Sequence, residues 1–170
     1  MSLTALLALL FRWLHILAGM TAVGGTIFAR FVVLPSQDVL APDARNALAT
    51  EMRRRWSKIV MASIGFLLLT GLCNFAIIVV NYRDDLHAVR WYHPLFGVKF
   101  LLALAVFTIA SLLSGRTALA DRVRQRARFW MSLNILLAVL IVCLSGILRT
   151  AHPPGTLGIG AEPVKAKAVE

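Results

Sequence analysis

The chain has 170 residues, 59% of them apolar, and a mean hydropathy of +0.77. A soluble domain is typically about 45–50% apolar, so this composition excludes one and describes an integral membrane protein. The net charge of +10 does not indicate a nucleic-acid partner, because the basic residues fall between apolar runs, where they act as topology signals.

Four apolar segments, each near the roughly 20 residues that cross a hydrocarbon core, lie at about 6–33, 59–80, 94–113 and 129–148. They predict an all-α fold: a four-helix transmembrane bundle forming one domain over residues 1–150, followed by a flexible carboxyl-terminal tail over 151–170. No basic residue precedes the first segment and its hydrophobicity runs past a signal core, so it is expected to remain as a helix. It is longer than a perpendicular span requires and should tilt or project. Arg12 and Trp13 suit an interfacial position near its start.

Orientation follows from the connections. Arg45, Arg53, Arg54, Arg55 and Lys58 precede the second segment, and Arg116, Arg122, Arg124, Arg126 and Arg128 precede the fourth. The arginine asymmetry predicts cytoplasmic loops at 36–57 and 114–128, with both termini outside, on the periplasmic face of a bacterial inner membrane. Asp43 is expected to cap a short surface helix over 45–55. RTALADRVRQRAR reads as a basic extension of the neighbouring helices, and both basic stretches suit anionic lipid headgroups. The last residues, AHPPGTLGIGAEPVKAKAVE, are rich in Pro, Gly and Ala and should be irregular.

Small residues supply surfaces for close helix approach: Gly19, Ala22 and Gly25 on the first segment, Gly65 and Gly71 on the second, Ser145 and Gly146 on the fourth. No phosphate-binding glycine loop, HExxH, CxxC or nucleophile elbow occurs, so the familiar enzyme classes have no support. Cys73 and Cys143 both lie within apolar runs and do not make a disulfide framework.

The stretch RWLHILAGMTAVGG places an ionisable histidine, His15, inside an apolar run. Its ring would lose water at a lipid-facing position, so it is expected to face the interior and meet a hydrogen-bond partner, a metal or a cofactor. With the predicted topology, Cys73, Lys99 and Cys143 each lie about 8–10 Å inside the same outer interface, which predicts an outer polar layer with one contribution from each helix. His87, His93 and His152, with Trp91 and Tyr92, should ring it as loop residues. Lys99 either snorkels to the headgroups or pairs with an anionic group of a cofactor, since no carboxylate occurs in any span. Arg12 is placed to do the same.

The sequences WLHILAG and VVLP on the first segment, RRRWSKIVMASIGFLLLTGLCN on the second and FGVKFLLALAVF on the third resemble the copper-resistance D (CopD) family of membrane proteins. They are also similar to the related HemJ-type protoporphyrinogen oxidases, four-helix b-haem proteins with an LH pair on the first helix and a VK pair on the third. The resemblance runs from about Arg12 to Leu148 and matches His15 to the family histidine and Lys99 to the family lysine. The Trp-Phe-Ala-Gly core of the HemJ type is replaced here by GMTAVGGTIFARF, nearer to the copper-resistance pattern.

Three functions follow as expectations. The first is a redox or electron-transfer protein with a haem b or metal site in the outer half of the bundle. His15 then supplies an axial nitrogen, His93 or else Met20 the second ligand, and Lys99 or Arg12 the counter-charge for a propionate. The second is copper transport or resistance through Cys73, Cys143, Met20 and Met61. The third is a non-catalytic subunit of a membrane complex, in which the polar groups set helix register. Partners are the lipid bilayer and, for the first and third, a redox partner or neighbouring subunits.

Overall fold

The computed structural model describes residues 3–81 and 86–150, and the 151–170 tail expected to be flexible lies outside them. Among the described residues the structure is helical, without a strand. Helix α1 (Leu3–Phe28) does not stop at the proline that follows it. It passes into a π-helical turn (Ala29–Val33), the single turn α2 (Leu34–Ser36) and a 3-10 turn (Gln37–Val39). Pro35 has no N–H to offer the carbonyl one turn back and its ring crowds that turn. The ladder widens just upstream, where the Leu34 N–H donates to the Ala29 carbonyl, and the rod continues.

The short surface helix expected over 45–55 is not separate. It is the start of α3 (Pro42–Asn81), a continuous helix of 40 residues. Pro42 opens it, where a missing N–H costs nothing, and no glycine or proline interrupts the chain before Gly65. At about 1.5 Å per residue it is roughly 60 Å long, about twice a hydrocarbon core, so its arginine-rich first part projects from the bilayer. On that projection Arg54 and Arg55 donate to Glu51 at 2.6–2.8 Å and hold its carboxyl at about 2, well below the ordinary range.

Helix α4 (Leu86–Ser114) begins before Pro94 instead of at it. His87 and His93, expected in a loop, therefore lie on helical backbone, though their side chains are outside the described ones. The basic stretch after α4 is a helix of its own, α5 (Ala118–Gln125), and not an extension of its neighbours. Thr117 caps it by accepting from the Ala120 N–H at 3.2 Å, and Arg126, at φ −116° and ψ 40°, breaks it from α6 (Ala127–Thr150). Ala120 and Val123 bury the apolar face of α5 while Arg122 faces solvent.

The long helices close a ring: α1 lies on α3, α3 on α4, α4 on α6, and α6 returns to α1. Consecutive members run in opposite directions. Four of them are long and apolar enough to cross a membrane, and the surface they present is that of a membrane protein. Leu17, Leu69, Leu101 and Val142 point outward, each 58–68% exposed, while the interior holds Ala18, Val60, Ile109 and Ala138 beside Thr26, Ser63, Thr70 and Asn134. A soluble protein rarely exposes so large an apolar surface. In a bilayer it meets lipid tails, and small interior side chains let the helices approach closely. The chain is an all-α transmembrane four-helix bundle.

Its basic end is tied together by charge. The Arg30 Nε donates at 3.1 Å to both the Arg128 carbonyl and the Ser132 hydroxyl, joining the π-helical turn to α6. Asp38 pairs with Arg128 at 3.2 Å and Arg45 at 3.7 Å, so one carboxylate links the first hairpin to the α5–α6 corner.

Between α1 and α3, the Trp56 indole lies where a side chain at position 25 would begin. Gly25→Ala should therefore destabilise the bundle by about 1–3 kcal/mol through overpacking, seen as a lower thermal midpoint in detergent. On a Trp56→Ala background the same change should cost less.

Candidate functional site

His15 lies on the inward stripe of α1 that also carries Ala18, Ala22 and Thr26, spaced as one face of a helix. It is half-buried, and α3 meets it with Thr70, which is 1% exposed, the most deeply buried polar residue described. The His15 Nδ1 and the Thr70 Oγ1 are 2.8 Å apart. The Thr70 hydroxyl donates to the Phe66 carbonyl one turn back at 2.5 Å. Gly71 makes room for this approach: a Cβ there would come within 3.3 Å of the His15 Cε1 and 3.8 Å of its Nδ1.

Aromatic stacking sets the depth of the fourth participant. Phe75 on α3 and Phe96 on α4 stack with centroids 4.0 Å apart and planes 19° from parallel. The two helices are antiparallel, so one turn deeper brings Lys99 on α4 level with Gly71 and Leu72 on α3. Lys99 is half-buried at this level. No hydrogen bond or ion pair to Lys99 is present among the described residues, and the spans contain no carboxylate to provide one. The His15 Nε2 likewise has no hydrogen-bond partner among the described residues.

The structure thus brings His15, Thr70 and Lys99 to one level and leaves other expected residues apart. Met20, 66% exposed, faces outward and does not join His15, because five residues turn it about 140° around the helix. Met61 and Cys143 are also exposed, so the sulfur path through the interior expected for copper is not formed; Cys73 is half-buried. Arg12 is exposed one turn above His15. The side chains of His87 and His93, and all of His152, lie outside the described residues. Among the described residues, no group of three or more His, Cys, Asp or Glu is placed to hold a metal ion.

Thr70 is the residue that reading the sequence missed. Its signal was available: with Asn74 it makes an i, i+4 polar pair in the C-terminal part of an otherwise apolar span. A lone threonine in such a helix ordinarily satisfies itself on the preceding carbonyl, and nothing in the chain order shows that a histidine 55 positions away meets it.

Chemically, the layer offers an imidazole with one ring nitrogen unbonded and a lysine without a carboxylate among the described residues, in a bundle whose surface faces lipid. An imidazole nitrogen is a donor to haem iron or to copper. A lysine without a counter-charge suits a bound anionic group such as a carboxylate. The donor chemistry fits a single-histidine metal or haem site.

The chain matches no protein-family model, and no solved structure matches it. It is similar to an uncharacterised protein of Aquifex aeolicus (strain VF5), 29% identical over 145 residues that cover 84% of this chain and 96% of that one.

The closeness of Gly71 to the ring gives a direct check of the His15–α3 contact. Gly71→Ala should displace the imidazole by a few tenths of an ångström and couple to His15→Ala. A double-mutant cycle on thermal stability in detergent should show an interaction of about 0.5–1.5 kcal/mol, whereas independent sites would add.

Proposed function

We propose that this is a redox membrane protein of the copper-resistance D and HemJ-like kind, which carries a haem b or single metal centre at the His15 level. The observation that carries the reading is a ring nitrogen of His15 and a lysine, Lys99, that have no hydrogen-bond or carboxylate partner among the described residues. His15 would hold the iron, and Lys99, with Arg12 one turn above, would hold a propionate; a bound haem supplies one-electron transfer. The residues around it do the rest. Thr70 and Gly71 orient the imidazole, Phe75 and Phe96 close the layer between α3 and α4, and the lipid-facing leucines keep bulk water from the helix surfaces.

In this reading the basic end lies in the cytoplasm, both termini lie in the periplasm of a bacterial inner membrane, and the site sits in the outer half of the bundle, open to a periplasmic redox partner or a neighbouring subunit. Copper handling is the second reading. What weighs against it is the outward placement of Met20, Met61 and Cys143, which leaves His15 and Cys73 as its interior ligands. A subunit with purely structural polar groups is the third, and against it stands Lys99, whose charge fixes no helix register without a partner.

His15→Ala should abolish or strongly change a Soret band in the detergent-purified protein while leaving insertion intact, because a coordinate bond is removed and segment hydrophobicity rises. Loss of thermal stability with an unchanged spectrum would make His15 structural. Bound copper without a Soret band would select the second reading.

Orientation is tested separately. Single cysteines at Ser57 and Ala118, on a background without Cys73 and Cys143, should resist a membrane-impermeant maleimide in intact cells and react after lysis. A cysteine in the carboxyl-terminal tail should react in intact cells.

A further inference from the structure

The His15–Thr70 contact contains more information than its length. A carbonyl oxygen cannot donate, so the 2.5 Å contact between the Thr70 Oγ1 and the Phe66 oxygen must contain the hydroxyl proton. A hydroxyl has one proton. Toward His15 the Thr70 oxygen therefore presents a lone pair, and the 2.8 Å contact must be donated from the ring. Helix α3 thus meets the Nδ1 edge of the ring with an acceptor. In the neutral imidazole only one nitrogen carries a proton, and the polarity of the chain assigns it.

We propose that Thr70 is a positioning residue that holds His15 in the Nδ1–H form, by the one-way chain His15 Nδ1–H to Thr70 Oγ1–H to Phe66 carbonyl, and so directs the Nε2 lone pair to the ligand. This deepens the preceding reading and depends on it only for what Nε2 binds. The assignment of the proton stands on the hydrogen-bond chain itself. Gly71 is part of the same device, since its missing Cβ lets the Nδ1–Cε1 edge lie against α3. Metal-binding histidines generally need such a fixed second nitrogen, and removing the partner costs about 10–100-fold in affinity.

Valine has the shape of threonine without the hydroxyl. In Thr70→Val the chain loses its middle member, while Thr70→Ser keeps it. The test uses the full chain in detergent, free of bound haem so that no iron on Nε2 fixes the tautomer, with ring-labelled histidine, and takes the infrared difference between each protein and its His15→Gln counterpart, which isolates the His15 ring bands that distinguish Nδ1–H from Nε2–H. The parent and Thr70→Ser should both show Nδ1–H, and Thr70→Val should lose it. If haem is bound, Thr70→Val should also need about 10–100-fold more haem for half-occupancy in a titration, with Thr70→Ser near the parent. An Nε2–H parent, or a Thr70→Val protein still in the Nδ1–H form, overturns the proposal, including the case where Thr70→Val only melts earlier. A chain that binds no haem yet shows the Nδ1–H switch would retain the positioning role and remove the haem reading alone.

Discussion

Lipid tails accept and donate no hydrogen bonds, and each polar group inside this bundle has to be satisfied from within the chain. The hydroxyls along the spans can be understood from that constraint. Thr21, Thr26, Thr108, Ser132 and Ser145 each donate to the carbonyl four residues back at 2.6–2.9 Å, so their protons need no neighbour helix. Thr70 begins in the same way, with its proton on Phe66, but its oxygen has a second lone pair and is buried exactly where α1 brings a ring nitrogen. That second lone pair ties α1 to α3 through a polar contact in a span otherwise held by small-residue packing. Asn134 is a fully buried departure from it: the residue is 5% exposed and its Oδ1 has no partner among the described residues.

The two ends of the bundle solve the problem of charge differently. At the basic end the arginines can reach headgroups and water, and they also use backbone carbonyls and Asp38 to lock the first hairpin to α6. The π-helical turn belongs to this arrangement. It absorbs the proline in the rod, and Arg30, which it carries, joins that rod to α6. At the other end Lys99 has no such partners among the described residues. A lysine held at the centre of a membrane helix costs roughly 2.5–3.5 kcal/mol on insertion scales. Lys99 is five residues from Pro94, about 8 Å of helix, and its stem can recover part of that cost by extending toward the interface. A bound anion at the His15 level would offset it more directly, which links the energetics of the span to the proposed ligand.

The histidine layer also has a rigid side and an open side. On α3, Thr70 and Gly71 hold one edge of the ring, and the Phe75–Phe96 stack joins that helix to α4. No described side chain bonds the opposite nitrogen. Orientation of a ligand atom by one helix, with charge supplied from another, is how a bundle of few polar residues can define a site.

Hydrophobic runs of membrane-spanning length determined the class of this protein without any tertiary information, because a bilayer demands a continuous helical backbone over each run. The spacing of glycine, alanine and histidine along the first run likewise determined which stripe faces inward. Element boundaries were harder to read. The break expected before residue 59 is helical, and so are residues 86–93 of the loop expected before Pro94, because polarity marks where a chain leaves the membrane and not where its helix ends. Conversely, the capped α5 was hidden in a basic stretch that looked continuous with its neighbours. His15 and Lys99 stood out in the sequence because charge-bearing groups are costly in lipid. Equal depth also grouped Cys143 with them, yet depth carries no information about which way a side chain faces, and the helix turns Cys143 and Met20 outward. Thr70 could be found only in three dimensions: its hydroxyl is unremarkable on its own helix, and its role comes from a ring on another helix that packing places against it.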